Sequence, residues 1–268
     1  MLSIITPTFN SAKTISRNAV SVVNQIYLNF NHIIIDNLSS DETINEVKNV
    51  YEKAGYMEKL KIISEKDSGI SAAFNKGIKL ADGDIIGILN SDDYFYDNNV
   101  LKRVVEAFTD EKLLFVHGNI YFEDPLYGSN IRKPLLCQIT TAMPYNHPTM
   151  FFRKEVYEQY GLFDTDYSFA MDYEFICRLF NSVTDFNSRG YYLNGKPLVT
   201  MVAGGASWRN EFAAIEESKQ ALKKYGYWNF DARKNYIFRK LRTKIKSVLL
   251  LIGMERVITF WRKQKWGN

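Results

Sequence analysis

Asp84-Ile85-Ile86-Gly87-Ile88-Leu89-Asn90-Ser91-Asp92-Asp93 reads as a buried strand that stops abruptly in two adjacent carboxylates. Ile85 to Leu89 is a short apolar run without alternation, the pattern of a strand covered on both faces. Carboxylates are costly beside such a strand unless something partners them. In open α/β sheets, ligands bind at the carboxyl ends of the strands. Carboxylate oxygens at that place suit a hard divalent cation, and such a cation often carries phosphates.

The same arrangement repeats upstream. Leu2 to Ile5 is a short buried strand, broken by Thr6-Pro7-Thr8-Phe9-Asn10. His32 to Ile35 is a second, ending in Asp36, and Leu60 to Ser64 a third, followed by Glu65 and Asp67. Helices are predicted between them. One spans 11–24, with Ile15, Ala19, Val22 and Val23 at helical spacing; one runs from a Ser39 cap to about Ala54; one covers 69–80. Four strands alternating with three helices in roughly 95 residues predict a Rossmann-like, doubly wound, mostly parallel α/β sheet. One acidic strand end is weak evidence; acids or hydroxyls at every strand end point to a nucleotide site. No GxGxxG follows the first strand and no GxxxxGK[ST] occurs, which excludes a dinucleotide fingerprint and a P-loop. A bound diphosphate therefore needs a metal to neutralise it.

Downstream, 100–108, 155–160, 212–225 and the stretch opened by Asp172 are expected helices. Segments 113–118, 120–123, 150–152 and 197–202 are expected strands, and 127–141 is expected to be irregular. The 268 residues suit one large domain with an appendage. Residues 1–230 are the expected catalytic domain, with a nucleotide half over about 1–95 and an acceptor half over about 96–230. The 17 Tyr and 18 Phe serve as core packing or as stacking platforms. The net charge is only +4, yet residues 233–268 hold eleven Lys or Arg and one Glu, so the tail is basic and the rest acidic. Cys137 and Cys177 form no metal-spaced cluster, which fits a reduced, cytoplasmic setting. The start lacks a charged-then-apolar leader, so no signal peptide is expected. The longest apolar run, Val248 to Ile252, is far short of the ~20 residues that a membrane-spanning helix needs.

Several of these segments together resemble family 2 glycosyltransferases. Thr6-Pro7-Thr8-Phe9-Asn10 resembles that family's first-strand segment. Ile34-Ile35-Asp36-Asn37-Leu38-Ser39-Ser40-Asp41-Glu42-Thr43 looks like its VDDGSxDxT. Glu65 to Gly77, EKDSGISAAFNKG, is similar to its ExDxGIxDAxNKG, and Asn90-Ser91-Asp92-Asp93 to its DXD-type metal motif. Met171-Asp172-Tyr173-Glu174-Phe175 with Arg178 resembles its ED-type acceptor motif. The order of the five motifs is specific, and the subgroup resembled builds bacterial capsule, O-antigen and exopolysaccharide. Asn37-Leu38 replaces the usual Asp-Gly or Gly-Gly, Ala72 stands where Asp is common, and Met171 replaces a Glu. Only Asp172 is therefore carried over as the base.

The resemblance implies a GT-A fold, a nucleotide-sugar donor, most simply UDP-linked, and inversion by one in-line displacement. Asp93 is expected to bind Mn²⁺ or Mg²⁺, with Asp92 near the ribose or the metal's water shell; a helix cap is the alternative for this pair. Thr6, Pro7 and Phe9 would frame the base, Asp36 would accept from its imide, and Asp67 would contact the nucleoside or order its loop. Asp172 is the expected general base, or else an N-cap. Glu174 and His147 are candidates for the acceptor side, and Trp208 with Arg209 for a loop that closes over the site.

The tail carries Ile237, Leu241, Ile245, Val248, Leu249 and Ile252 at helical spacing, with Arg239, Lys240, Arg242, Lys244 and Lys246 on the other faces. Residues 231–268 thus read as a basic amphipathic helical segment on an anionic membrane surface, or as a helix docked on the catalytic domain. No nucleic-acid motif supports that third reading of the basic charge. The expected acceptor is a polyprenyl-diphosphate-linked saccharide at the inner face of the plasma membrane. The rivals are a nucleotidyltransferase, which needs a second metal-carboxylate set that is not seen, and an inactive nucleotide-sugar-binding module, against which the retention of Asp93 and Asp172 argues.

Overall fold

The computed structural model describes residues 1–124, 128–205, 210–254 and 257. Strands β1 (Leu2–Thr8), β2 (Phe30–Asp36), β3 (Leu60–Ser64) and β4 (Ile85–Ile88) alternate with helices α1 (Ile15–Val23), α2 (Thr43–Ala54) and α3 (Ile70–Leu80). The rest of the chain adds β5 (Tyr94–Phe95), α4 (Val100–Ala107), β6 (Phe115–Gly118), β7 (Ile120–Glu123), β8 (Asn130–Arg132), β9 (Phe151–Arg153) and α5 (Lys154–Tyr160). Then come α6 (Met171–Ser182), β10 (Gly190–Leu193), β11 (Val199–Val202), α7 (Glu211–Lys224) and α8 (Phe230–Leu251).

One seven-stranded sheet has the order β10-β6-β9-β4-β1-β2-β3. β1, β2, β3 and β4 run parallel, and β9 alone is antiparallel to its two neighbours. The two expected halves thus share one sheet, because β6, β9 and β10 extend it beyond β4. A second sheet, β5-β11-β7-β8, includes Asn130–Arg132 from the segment expected to be irregular.

Burial explains the register. Every residue of β1 and β4 is buried, as central strands covered by helices require. α3 packs directly on β1. A β-carbon on Gly77 would lie 2.3 Å from Ile5 Cγ2, so only glycine lets the helix approach this closely. Phe175, Ile176 and Leu179 of α6 are fully buried and contribute roughly 1.5–3 kcal/mol each, which fixes the helix that carries Asp172.

One local expectation is corrected. Ser39 does not cap α2. Its hydroxyl donates to Asp36, and Asp41 Oδ1 accepts from the Thr43 backbone N–H (3.1 Å) at the start of α2. The left-handed residue in the Asn37-Leu38 turn is Leu38, with φ of 54°, and Asn37 is not in that region.

The tail forms α8, which packs its polar face on α7. Lys240 pairs with Glu216 (2.8 Å), Lys246 with Glu211, and Thr243 and Ala232 are buried between the helices. Ile237, Phe238, Leu241, Ile245 and Val248 face outward and are exposed. Among the described residues, no helix is long and apolar enough to cross a membrane.

Candidate active site

The carboxyl ends of the first four parallel strands open into a cleft of about 1170 Å³. Pro7, Thr8 and Phe9 line it from β1, Asn37 from the turn after β2, Asp67 and Gly69 from the loop after β3, and Asn90 to Asp93 from the end of β4. Asp172 joins them from the first turn of α6. Residues more than 160 positions apart in sequence are thus brought to one cavity by the order of the strands.

Asp93 is the most constrained of these. Its side chain is buried, with Oδ1 accepting from the Val202 N–H (3.2 Å) and Oδ2 from Asn90 Nδ2 (3.3 Å). Asn18 Nδ2 donates to the carbonyls of Asn90 (2.9 Å) and Asp93 (3.0 Å), which ties the turn to α1. Burial, then the neighbouring Asp92, pushes the Asp93 carboxyl up to about 8; the Val202 amide, Asn90 and Arg17 only partly oppose this. Asp92 is half-buried at the cleft, and a β-carbon on Gly205 would lie 4.0 Å from its Oδ2. Arg17 stacks on Tyr94 (4.1 Å) and reaches Glu123 (3.4 Å) close by.

The donor set fits a divalent cation. Asp92 and Asp93 offer hard oxygens, and the buried Asn90 Oδ1 has no donor partner among the described residues. A buried carboxyl whose ionisation is suppressed by burial and by a second acid is one that a cation would restore to its charged form. No group of three or more His, Cys, Asp or Glu side chains forms a metal site among the described residues. Two carboxylates would supply part of a cation's oxygen shell, and phosphate and water would supply the rest.

Asp67 Oδ1 accepts from the Gly69 N–H (2.9 Å), and the Asp67 N–H donates to Asn37 Oδ1 (2.9 Å). Gly69, with φ of 126°, makes the turn into α3 that a side chain would strain.

Asp172 is half-buried, and its Oδ1 accepts from the Tyr173 N–H (2.8 Å) in the first turn of α6. Glu217 of α7 accepts from the backbone N–H groups of Ser168 (3.1 Å), Phe169 (2.8 Å) and Ala170 (2.8 Å) just before α6. Asp172 lines the cleft at the start of α6. His147 lies near enough for the Asp172 charge to act on it. Burial lowers the imidazole's pKa and the carboxylate partly raises it back. Its ring packs against Phe74 and Phe163.

Four expected site residues do not line the cleft. Thr6 Oγ1 and His32 Nε2 share a buried hydrogen bond (2.8 Å), and His32 Nδ1 and Tyr51 Oη share another (2.7 Å). Burial drives that imidazole down to about 3, so it is neutral. Asp36 is fully buried beneath the cleft floor. Its Oδ2 accepts from the Ser39 N–H (3.1 Å) and the Ser64 hydroxyl (2.6 Å), which shapes the turn that presents Asn37. Glu174, expected on the acceptor side, is fully buried away from the cleft and pairs with Arg178 (2.6 Å) and Lys224 (3.2 Å). His147 feels the Asp172 charge but does not line the cleft. Trp208 and Arg209 lie outside the described residues.

Sequence reasoning missed Asn18, and the role of the Asn90 side chain within its motif; their amides tie the turn that carries Asp93. It also missed Arg239, Arg242 and Lys246 of α8, which line the cleft with Glu211.

Comparison with known proteins places this geometry. The family described as Glycosyl transferase family 2 matches residues 3–177. The hyaluronan synthase of Pasteurella multocida is 27% identical over 254 residues, 90% of this chain but only 26% of that relative's length. The structure of S. aureus TarS 1–349 in complex with UDP-GlcNAc superposes with a TM-score of 0.62 at 20% identity, covering 84% of this chain and 65% of that one. The mannosyltransferase PcManGT of Pyrobaculum calidifontis, in complex with GDP-Man and Mn²⁺, gives 0.63 at 15% identity, covering 100% and 87%. The fold is of the GT-A type. The chain belongs to glycosyltransferase family 2.

Proposed function

We propose that the protein transfers one sugar, with inversion, from a UDP-linked donor to a saccharide carried on a polyprenyl diphosphate. The reaction would take place at the inner face of the plasma membrane and serve surface polysaccharide synthesis. The observation that carries this reading is the single cleft that joins Asp92 and Asp93 at the end of β4 to Asp172 at the start of α6. The relatives' donors support the nucleotide-sugar class, since TarS was captured with UDP-GlcNAc and PcManGT with GDP-Man.

Pro7 and Phe9, which line the cleft, frame the nucleoside, and Asn37 and Asp67 present polar groups beside it. Asp93 with Asp92 would hold Mn²⁺ or Mg²⁺, which when bound supplies positive charge for the leaving diphosphate. Asp172 accepts the proton of the acceptor hydroxyl as that oxygen attacks the anomeric carbon from the face opposite the leaving group. Burial lowers the His147 pKa, which disfavours an imidazolium that would pair with Asp172. Buried α6 holds the base in place, which supplies orientation.

The exposed stripe on α8 supports an anionic membrane surface as the resting place. Ile237 and Phe238 are each 63% exposed and Leu251 is 86% exposed, with Arg233, Lys234 and Lys244 exposed around them. A thermal-shift screen against UDP-, GDP- and dTDP-sugars, with Mn²⁺ and with EDTA, tests the donor reading. A UDP-sugar shift that EDTA abolishes is expected. Indifference to all three nucleotides would sink it.

A further inference from the structure

The inner face of α8 places three cations on the wall of the transferase cleft. Arg239, Arg242 and Lys246 recur at helical spacing, and all three line the same cavity as Asp172. Glu211, at the start of α7, pairs with Lys246 and lies 3.9 Å from Arg242. Arg239 is half-buried and has no hydrogen bond or ion pair among the described residues. A guanidinium withdrawn from water without an acceptor is destabilised unless a ligand supplies one. Burial, the largest influence, accordingly holds its pKa below the usual arginine range.

The cluster lies on the α6 side of the cleft. The charged and titratable groups that act on Arg239 are Tyr173, Arg242 and Glu211, and Tyr173 is the residue next to Asp172. The groups that act most on Asp93 are Asp92, Val202, Asn90 and Arg17, none of them from α8. Arg239 and Tyr173 also line one small recess together, which sets the trio on the Asp172 side of the cleft. Two of its three cations share Glu211, so a ligand bearing two negative charges balances the cluster better than a single carboxylate does. Arginine forks match the paired oxygens of a phosphate.

Resting on the proposed transferase reading, we infer that Arg239, with Arg242 and Lys246, forms an anion subsite that grips a phosphate or diphosphate ester of the acceptor. The opposite face of the same helix is the exposed apolar stripe of Ile237, Leu241, Ile245 and Val248. A phosphate attached to a lipid tail would thus meet α8 where the helix meets the bilayer, and its saccharide would extend towards Asp172. One helix then both locates the membrane and orients the acceptor.

The test uses the full chain in EDTA, so that a cation at Asp92 and Asp93 cannot recruit phosphate. Inorganic pyrophosphate is titrated calorimetrically into wild type, Arg239→Gln and Arg239→Lys. Saturable binding to wild type, weakened about tenfold or more in Arg239→Gln and partly restored in Arg239→Lys, is expected. Binding of UDP with Mn²⁺ should be the same in wild type and Arg239→Gln. Equal pyrophosphate binding by the two, or none by wild type, would overturn the subsite. Loss of UDP binding in Arg239→Gln would overturn it too, by moving the arginine to the donor. A second arm compares phosphatidylglycerol with phosphatidylcholine vesicles. Phosphatidylglycerol binding that depends on Arg239 while pyrophosphate binding does not would assign it to bulk headgroups and refute the subsite. Failure of wild type to bind UDP with Mn²⁺ strikes instead at the transferase reading, and pyrophosphate binding is scored separately from it.

Discussion

Asp93→Asn should make the metal-free protein more stable while removing its function. The wild-type carboxyl is buried and raised from 3.8 to about 8 by burial and by Asp92. The folded-state value lies above the unfolded one, so this group's favourable contribution is complete below about 3.8 and is lost as pH rises through about 8. At pH 8 the ceiling is about 5 kcal/mol, and at pH 4 it falls below about 1 kcal/mol. The cleft is open to water, so the expected gain at pH 8 is on the order of 2–5 kcal/mol. An asparagine fits the same contacts. Its carbonyl can accept from the Val202 N–H, and once the Asn90 amide turns over, the new amide can donate to Asn90 Oδ1, which now lacks a partner among the described residues. The assay is thermal unfolding of both proteins in EDTA at pH 4, 6 and 8. The variant's advantage should widen with pH to roughly 5–15 °C at pH 8. Mn²⁺ with UDP should then stabilise wild type and leave the variant unmoved. A stability difference independent of pH, or a less stable variant at pH 8, would refute the reasoning.

Two further outcomes follow from the packing around the base and the tail. Glu217→Ala removes the acceptor of three backbone N–H groups ahead of α6 and should cost about 2 kcal/mol. Hydrogen exchange should speed up at Ser168 to Ala170, and unchanged protection there would contradict the capping role. Replacing Ile237 and Leu241 by serine removes exposed apolar surface without touching the α7 interface. Co-sedimentation with anionic vesicles should drop several-fold while the melting temperature holds; undiminished sedimentation would discard the membrane reading of the stripe.

The first four strands were legible because their signals are local. Short apolar runs such as Ile33–Ile35 and Ile85–Leu89 admit few readings, and the acids after them mark the ligand edge. The two-residue β5 and three-residue β8 fall below the length at which a period is visible. The orientation of Glu174 depended on Lys224 and Tyr225, about fifty residues away, which a helical period in α6 cannot reveal. The tail is the clearest case. Its apolar and basic positions were readable, but which face would dock was decided by Glu211 and Glu216 on α7. That choice turns Arg239 towards the cleft and the isoleucine stripe towards solvent. Leu38 shows the reverse limit. A left-handed turn is invisible in sequence when the residue that adopts it is neither Gly nor Asn.

The central claim is that Asp172 removes the acceptor proton in a cleft whose donor end is built by Asp92 and Asp93. The direct measurement is the rate of sugar transfer from a UDP-sugar to a lipid-linked acceptor with Mn²⁺, for wild type and Asp172→Asn, beside donor affinity for both. The account predicts transfer slowed by about 10²–10⁴-fold in the variant with donor affinity unchanged. Transfer at the wild-type rate by Asp172→Asn would contradict it.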